Sequence, residues 1–172
     1  MVALKTLLET IETTPVSIGF LKKRVPKTVD VLAHQQLKGK HRSDLFKGKT
    51  AVIVLVPKTG SKRGHYICLV PRPNHIEYFS SLGGSPEAEF AKLGESLEIF
   101  RNLLGKNYIY NRVKLQSGTY NINSCGAWVI ARAKLASLKL REFTGLFRKI
   151  SLQNPDDIVS LLVLLDFIDE KK

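Results

Sequence analysis

Apolar residues along this chain come in short blocks whose spacing changes from one stretch to the next. Leu4, Leu7, Leu8 and Ile11 recur at helical spacing before Thr13, Thr14 and Pro15 interrupt the run, which predicts a short amphipathic helix over 2–12. The stretch from Lys22 to Leu45 fits neither the helical nor the strand period. Ala51 to Val56 is an apolar, mostly β-branched run bounded by Gly48 and Pro57, and His65 to Val70 is a second one across a Lys, Ser and Gly turn. Both read as buried, adjacent strands. A turn at Pro71 to Asn74 leads to a third strand, His75 to Phe79, which ends ahead of Gly83 and Gly84.

Ser85, Pro86 and Glu87 then form an N-cap, a first-turn proline and a first-turn acid, and Phe90, Leu93, Leu97, Phe100 and Leu104 follow on one face of a predicted helix. Alternation over Tyr108 to Leu115 predicts a half-buried strand near a sheet edge. From Gly126 to about Phe143 the pattern is helical, with Trp128, Ala131, Leu135 and Leu138 sharing a face. Asn154 caps a last helix carrying Ile158, Leu161, Leu162, Leu165 and Ile168. Strands cluster in the middle of the chain instead of alternating with helices. The expectation is one α+β domain over 1–172, its helices packed on a mostly antiparallel central sheet.

Composition narrows the function classes. With 172 residues and 44% hydrophobic content the chain can bury a core, and its longest apolar runs are far shorter than a bilayer span needs. Glu9 and Glu12 stand where a secretory signal would be basic and then apolar, so neither secretion by that route nor a membrane partner is expected. Two cysteines, Cys68 and Cys125, are too few for a disulfide framework and read as free thiols in a reducing compartment. The formal net charge of +12 points to a polyanionic partner. Basic residues concentrate between Lys38 and Arg72 and between Arg101 and Lys149, whereas acids concentrate over Glu77 to Glu98 and Asp156 to Glu170. Such segregation predicts a polarised surface.

Candidate chemistry gathers at three places. His65 opens a strand, Tyr78-Phe-Ser-Ser-Leu-Gly-Gly84 closes the next, and Asn123-Ser-Cys-Gly-Ala-Trp128 opens a helix. A cysteine at a helix N-terminus sits at the positive end of the macrodipole, which favours thiolate, and Gly126 leaves room for a substrate backbone. His65 from a neighbouring strand can take the thiol proton and return it to a leaving amine. Cys68 lies mid-strand and reads as an inert buried thiol, Trp128 as core, His75 as a solvated edge residue, and His34 and His41 as members of a basic stretch. Cys68, His65 and His75 lack paired zinc-ligand spacing, so no metal is expected.

Together these motifs resemble the adenovirus-type (adenain-like) maturation cysteine proteases and their relatives in virophages, polinton-like elements and ubiquitin-like-protein processing. The resemblance spans about Ala51 to Leu138 and keeps the family's order of histidine, acid position, glutamine and cysteine. It implies a papain-like fold of the adenain type and a thiol endopeptidase with Cys125 as nucleophile and His65 as base. At the family's acid position this chain has Ser80, which can orient the imidazole but brings no charge. Glu77 cannot replace it, because it faces the other side of the strand. Gln116 would be the side-chain oxyanion donor after an insertion within Ser117 to Ser124, with Asn121 or Asn123 as alternatives. Tyr66, where relatives often carry Trp, would narrow the channel and select small residues before the cut.

The same resemblance implies cleavage of viral structural and capsid precursors at glycine-rich sites, in the virion and infected cell, by a monomer without a metal or small-molecule cofactor. DNA would act as an activating polyanion and track, bound without sequence preference through residues such as Lys58, Lys62, Arg63, Arg132 and Lys139. Because of the Ser80 departure, an inactivated DNA- or capsid-binding module stands as an alternative. So does a ubiquitin-like-modifier protease.

Overall fold

The computed structural model describes residues 16–61, 63–117, 124–148 and 154–169, so the helix expected over 2–12 lies outside the described residues. Five strands, β1 (Val29–Ala33), β2 (Ala51–Pro57), β3 (Gly64–Pro71), β4 (Ile76–Phe79) and β5 (Tyr108–Tyr110), form one sheet in sequential order. The helices are α1 (Ile18–Lys22), α2 (Arg42–Leu45), α3 (Pro86–Leu93), α4 (Glu98–Leu104), α5 (Cys125–Lys134), α6 (Leu140–Arg148) and α7 (Pro155–Asp169). The fold is mixed α+β. None of these helices is long and apolar enough to cross a membrane.

The central strands β2, β3 and β4 are antiparallel, as their short connecting turns require, but the outer pairs β1–β2 and β4–β5 are parallel. The sheet is therefore mixed and not mostly antiparallel. Each parallel pair is joined by a helical crossover, and a parallel neighbour cannot be reached through a tight hairpin. The stretch around Lys22 to Leu45, which fitted no single period, holds several short elements: the end of α1, β1, a 3₁₀ turn over His34–Leu37, and α2.

Strict alternation along the strands sends side chains to two cores. Ala51 and Ile53 of β2, Tyr66, Cys68 and Val70 of β3, and Phe79 of β4 face the first, with Trp128, Phe143, Phe147 and Val159 from α5, α6 and α7. Val52, Val54, Ile67, Leu69, Ile76 and Tyr78 face the second, against Phe90, Phe100, Leu103 and Leu104 from α3 and α4. His34, expected as a member of a basic stretch with no partner pattern, is buried there between the rings of Phe90 and Phe100.

Two predicted helices are each broken in two, and both breaks have local causes. Gly94, at φ +72°, ends α3 in the left-handed conformation that glycine adopts without strain, so Leu97 and Phe100 belong to a second helix. The break after Lys134 is electrostatic: Arg132 donates to the Leu135 carbonyl (2.8 Å), and Arg72 to those of Ala136 (2.8 Å) and Leu138 (2.5 Å). Both guanidinium groups also grip Glu77, at 2.5 Å from Arg132 and 2.8 Å from Arg72, and the Leu140 N–H at the start of α6 donates to the same carboxylate (3.0 Å). The strand expected over Tyr108 to Leu115 pairs only as far as Tyr110.

Glu77 thus ties β4, the turn after α5 and α6 together from a buried position. Burial pushes its carboxyl up, and the Arg72 and Leu140 hydrogen bonds with the two cationic charges outweigh that and hold it below the usual range. Glu77→Ala would leave Arg132 charged and unpaired in the core, and in urea unfolding it should cost about 3–5 kcal/mol. A loss under about 1 kcal/mol would show that the network does not hold these elements.

Candidate active site

Cys125 is the first residue of α5 and is half-buried against the first core. The backbone N–H of Tyr66, on the amide that links His65 to Tyr66 in β3, lies beside its thiol and favours the ionised form. Thiol and imidazole therefore flank one peptide unit, although among the described residues no hydrogen bond joins them directly. His65, 6% exposed, keeps the register of the second face, as does Ser80 just beyond β4. Their side chains meet with His65 Nε2 at 2.9 Å from Ser80 Oγ. The expected pairing of His65 with the residue at the family's acid position is thus present in space, with a hydroxyl in place of a carboxylate. Glu77 points to the opposite face.

Ser80 is held at its backbone as well as its hydroxyl. Its N–H donates to Asn111 Oδ1 (3.0 Å), its carbonyl accepts from Asn111 Nδ2 (2.7 Å), and its Oγ accepts from the Leu82 N–H (3.2 Å). The adjacent Ser81 serves another group. Its Oγ donates to Gln116 Oε1 (2.7 Å), which turns the NH₂ end of that amide away from Ser81, and its carbonyl accepts from the Gln116 N–H (3.0 Å).

Gln116 reaches the cysteine through a residue that sequence reading missed. Asp156, buried at the start of α7, accepts from the Ser117 N–H (2.6 Å), from the Trp128 indole N–H (2.7 Å) and from the Ser124 hydroxyl. One carboxylate therefore gathers the residue after Gln116, the residue before Cys125 and the side of α5. Asn121 and Asn123, the alternative oxyanion donors, lie outside the described residues. A sequence cue for Asp156 existed only as a first-turn acid of a capped helix, which is ordinary helix chemistry.

Two expectations about Cys125 are corrected. Burial pushes its thiol up, and this outweighs the backbone N–H hydrogen bonds of Tyr66 and the helix start while the Asp156 charge adds to it. Burial also lowers His65 to about 4. The site rests as neutral thiol and neutral imidazole, not as thiolate and imidazolium. The space beside Gly126 is not open either. A Cβ there would stand 2.1 Å from Val16 Cγ2, and the Val16 carbonyl accepts from the Tyr66 hydroxyl (3.0 Å), so the Val16 segment covers the helix start.

Of the proposed DNA contacts, Lys58, Arg63 and Lys139 are exposed and Lys62 lies outside the described residues. Arg132 is fully buried in the Glu77 network and cannot touch DNA. Cys68 is buried, its thiol pushed up to about 12 by burial, and Trp128 is core with its N–H spent on Asp156.

No family model matches the chain. Uncharacterized protein V9 of Sputnik virophage is 27% identical over 135 residues, covering 68% of this chain and 75% of that protein. Among solved structures, the central domain of the uncharacterized Lpg1148 protein from Legionella pneumophila superposes with a TM-score of 0.49 at 13% identity, over 88% of this chain and 96% of that one. SUMO protease Ulp1, with its catalytic cysteine oxidised to a sulfinic acid, gives 0.33 at 12% identity over 92% and 77%. The likeness to Ulp1 is weak, and the virophage relative has no assigned activity.

A neutral thiol has a direct signature. Alkylation of Cys125 by iodoacetamide should accelerate with pH along a curve centred above the ordinary thiol range, and Asp156→Asn should move the curve down. A midpoint below pH 7 would contradict the neutral resting pair.

Proposed function

We propose that this protein is a cysteine endopeptidase of viral type that cleaves structural precursor proteins at glycine-rich sites. What supports the reading above all is the convergence of the Cys125 thiol and the His65–Ser80 pair on the His65–Tyr66 peptide at the start of α5. Cys125 Sγ attacks the scissile carbonyl while its proton passes to His65 at Nδ1, the ring nitrogen not held by Ser80. Gln116 Nε2 and the Cys125 backbone N–H receive the oxyanion. His65 then protonates the leaving amine, and water, deprotonated by the same imidazole, releases the acyl group from sulfur.

The substrate enters by taking the place of Val16. The Tyr66 hydroxyl then holds a substrate carbonyl as it holds that of Val16, and the tight approach to Gly126 favours small side chains before the cut. Similarity to a virophage protein fits a viral setting, in which capsid precursors are the substrates. The basic turn carrying Lys58 and Arg63, with Lys139, supplies contacts for DNA as a sequence-independent track.

Incubation with the capsid proteins of its own organism, read by mass spectrometry, should give discrete fragments ending in glycine that disappear in Cys125→Ala. Duplex DNA titrated into the same assay should bind with a log–log salt slope of roughly −4 to −5, as about four to six phosphate contacts give. Unchanged fragments in Cys125→Ala would end the protease reading, and salt-insensitive binding would remove DNA as a partner.

A further inference from the structure

A peptide bound at the start of α5 would need a bare stretch of backbone to lie against and a donor for one of its carbonyls. Both are taken by this chain's own Val16. Gly126 leaves a hollow beside Cys125, and the Val16 side chain fills it, with Cγ2 at 2.1 Å from where a Gly126 Cβ would stand. The Tyr66 hydroxyl donates to the Val16 carbonyl (3.0 Å). Burial pushes the Tyr66 phenol up to about 12, and a charge on Cys125 adds to the shift, so this donor keeps its proton and stands close to the thiol. Val16 and Cys125 are both half-buried against the first core.

The chain just after Val16 is anchored by contacts of its own. Ser17 has extended backbone (φ −86°, ψ 161°), its hydroxyl caps α1 by accepting from the Phe20 N–H (3.1 Å), and Leu21 in that helix is fully buried. Val16 can therefore leave Gly126 without α1 coming away from the sheet. The anchor also tethers Val16 to the site. A group on a short tether is present at roughly millimolar effective concentration, so it competes with a free peptide for the same two contacts without binding tightly.

We propose that Val16 is an autoinhibitory strap, a peptide-like piece of this chain that occupies the place of a substrate over Gly126 and Tyr66 and covers Cys125 until it is displaced. The inhibition of cleavage rests on the protease reading; the covering of the thiol does not. A tethered competitor lowers the fraction of molecules open to substrate. Apparent affinity falls by that fraction, and the turnover of the bound state stays the same.

Alkylation by iodoacetamide at pH 8, located by peptide mapping, measures the cover without any substrate. In the wild type Cys125 should react at least about tenfold more slowly than the cysteine of a short unstructured peptide. Val16→Gly removes the side chain over Gly126, and Tyr66→Phe removes the hydrogen bond while keeping the ring in the core. The first should speed labelling of Cys125 about tenfold and the second about threefold, because an uncovered thiol is both reached and ionised more readily. Cys68, buried in β3, should stay unlabelled throughout and so report that the fold persists. With a peptide substrate, Val16→Gly should lower KM by about five- to tenfold and hold kcat within about twofold. A wild-type rate equal to that of the free peptide would overturn the strap, and that measurement needs no variant to fold. Unchanged labelling in folded Val16→Gly and Tyr66→Phe would overturn it as well. Faster labelling in Val16→Gly with no hydrolysis by any form would count against the protease reading and support the strap.

Discussion

One buried carboxylate determines where the start of α5 sits. Asp156 is fully enclosed at the first turn of α7, and three donors from separate parts of the chain converge on it: Ser117, Ser124 and Trp128. Burying an acid costs free energy unless its charge is hydrogen-bonded, so the three contacts form together or the packing fails. That requirement fixes the start of α5 relative to Gln116, and with it the position of Cys125. The arrangement has a chemical consequence. A negative charge beside the helix start opposes ionisation of the thiol, so the residue that positions Cys125 also helps keep its thiol neutral.

A second constraint comes from the two faces of β4. Glu77 points to one face and is neutralised by Arg72 and Arg132, which closes the turn between α5 and α6. Ser80 continues the other face and meets His65. The Glu77 carboxylate and the His65–Ser80 pair therefore belong to opposite faces. Alternation along a strand is what keeps them apart.

Much of this was readable from local signals. The runs around Ala51–Val56 and His65–Val70 gave their strands because both sheet faces are buried there, and the turns between them carry clear breakers. The helix starts at Ser85 and Asn154 were readable from cap chemistry, and the meeting of His65 with Ser80 from the order of motifs. Features set by distant partners were not readable. Gly94 and the Arg72–Arg132 grip on the 135–138 carbonyls break helices whose apolar period continues unbroken in sequence. β1 was hidden because its parallel pairing with β2 needs a crossover, not a turn signal. Asp156 and Ser81 look like ordinary cap or loop residues until the fold brings them to the site. Arg132 looked like part of a basic tract and is instead an internal counter-ion.

The proposed peptide cleavage requires Cys125 and His65 to act together on one carbonyl. A short peptide ending in glycine and carrying an acyloxymethyl ketone places an electrophile where that carbonyl would lie, and peptide mapping locates the adduct. One covalent adduct on Cys125, none on Cys68, and a large loss of labelling in His65→Ala are expected. An unlabelled Cys125, or labelling that proceeds equally in His65→Ala, would refute the joint action of the pair.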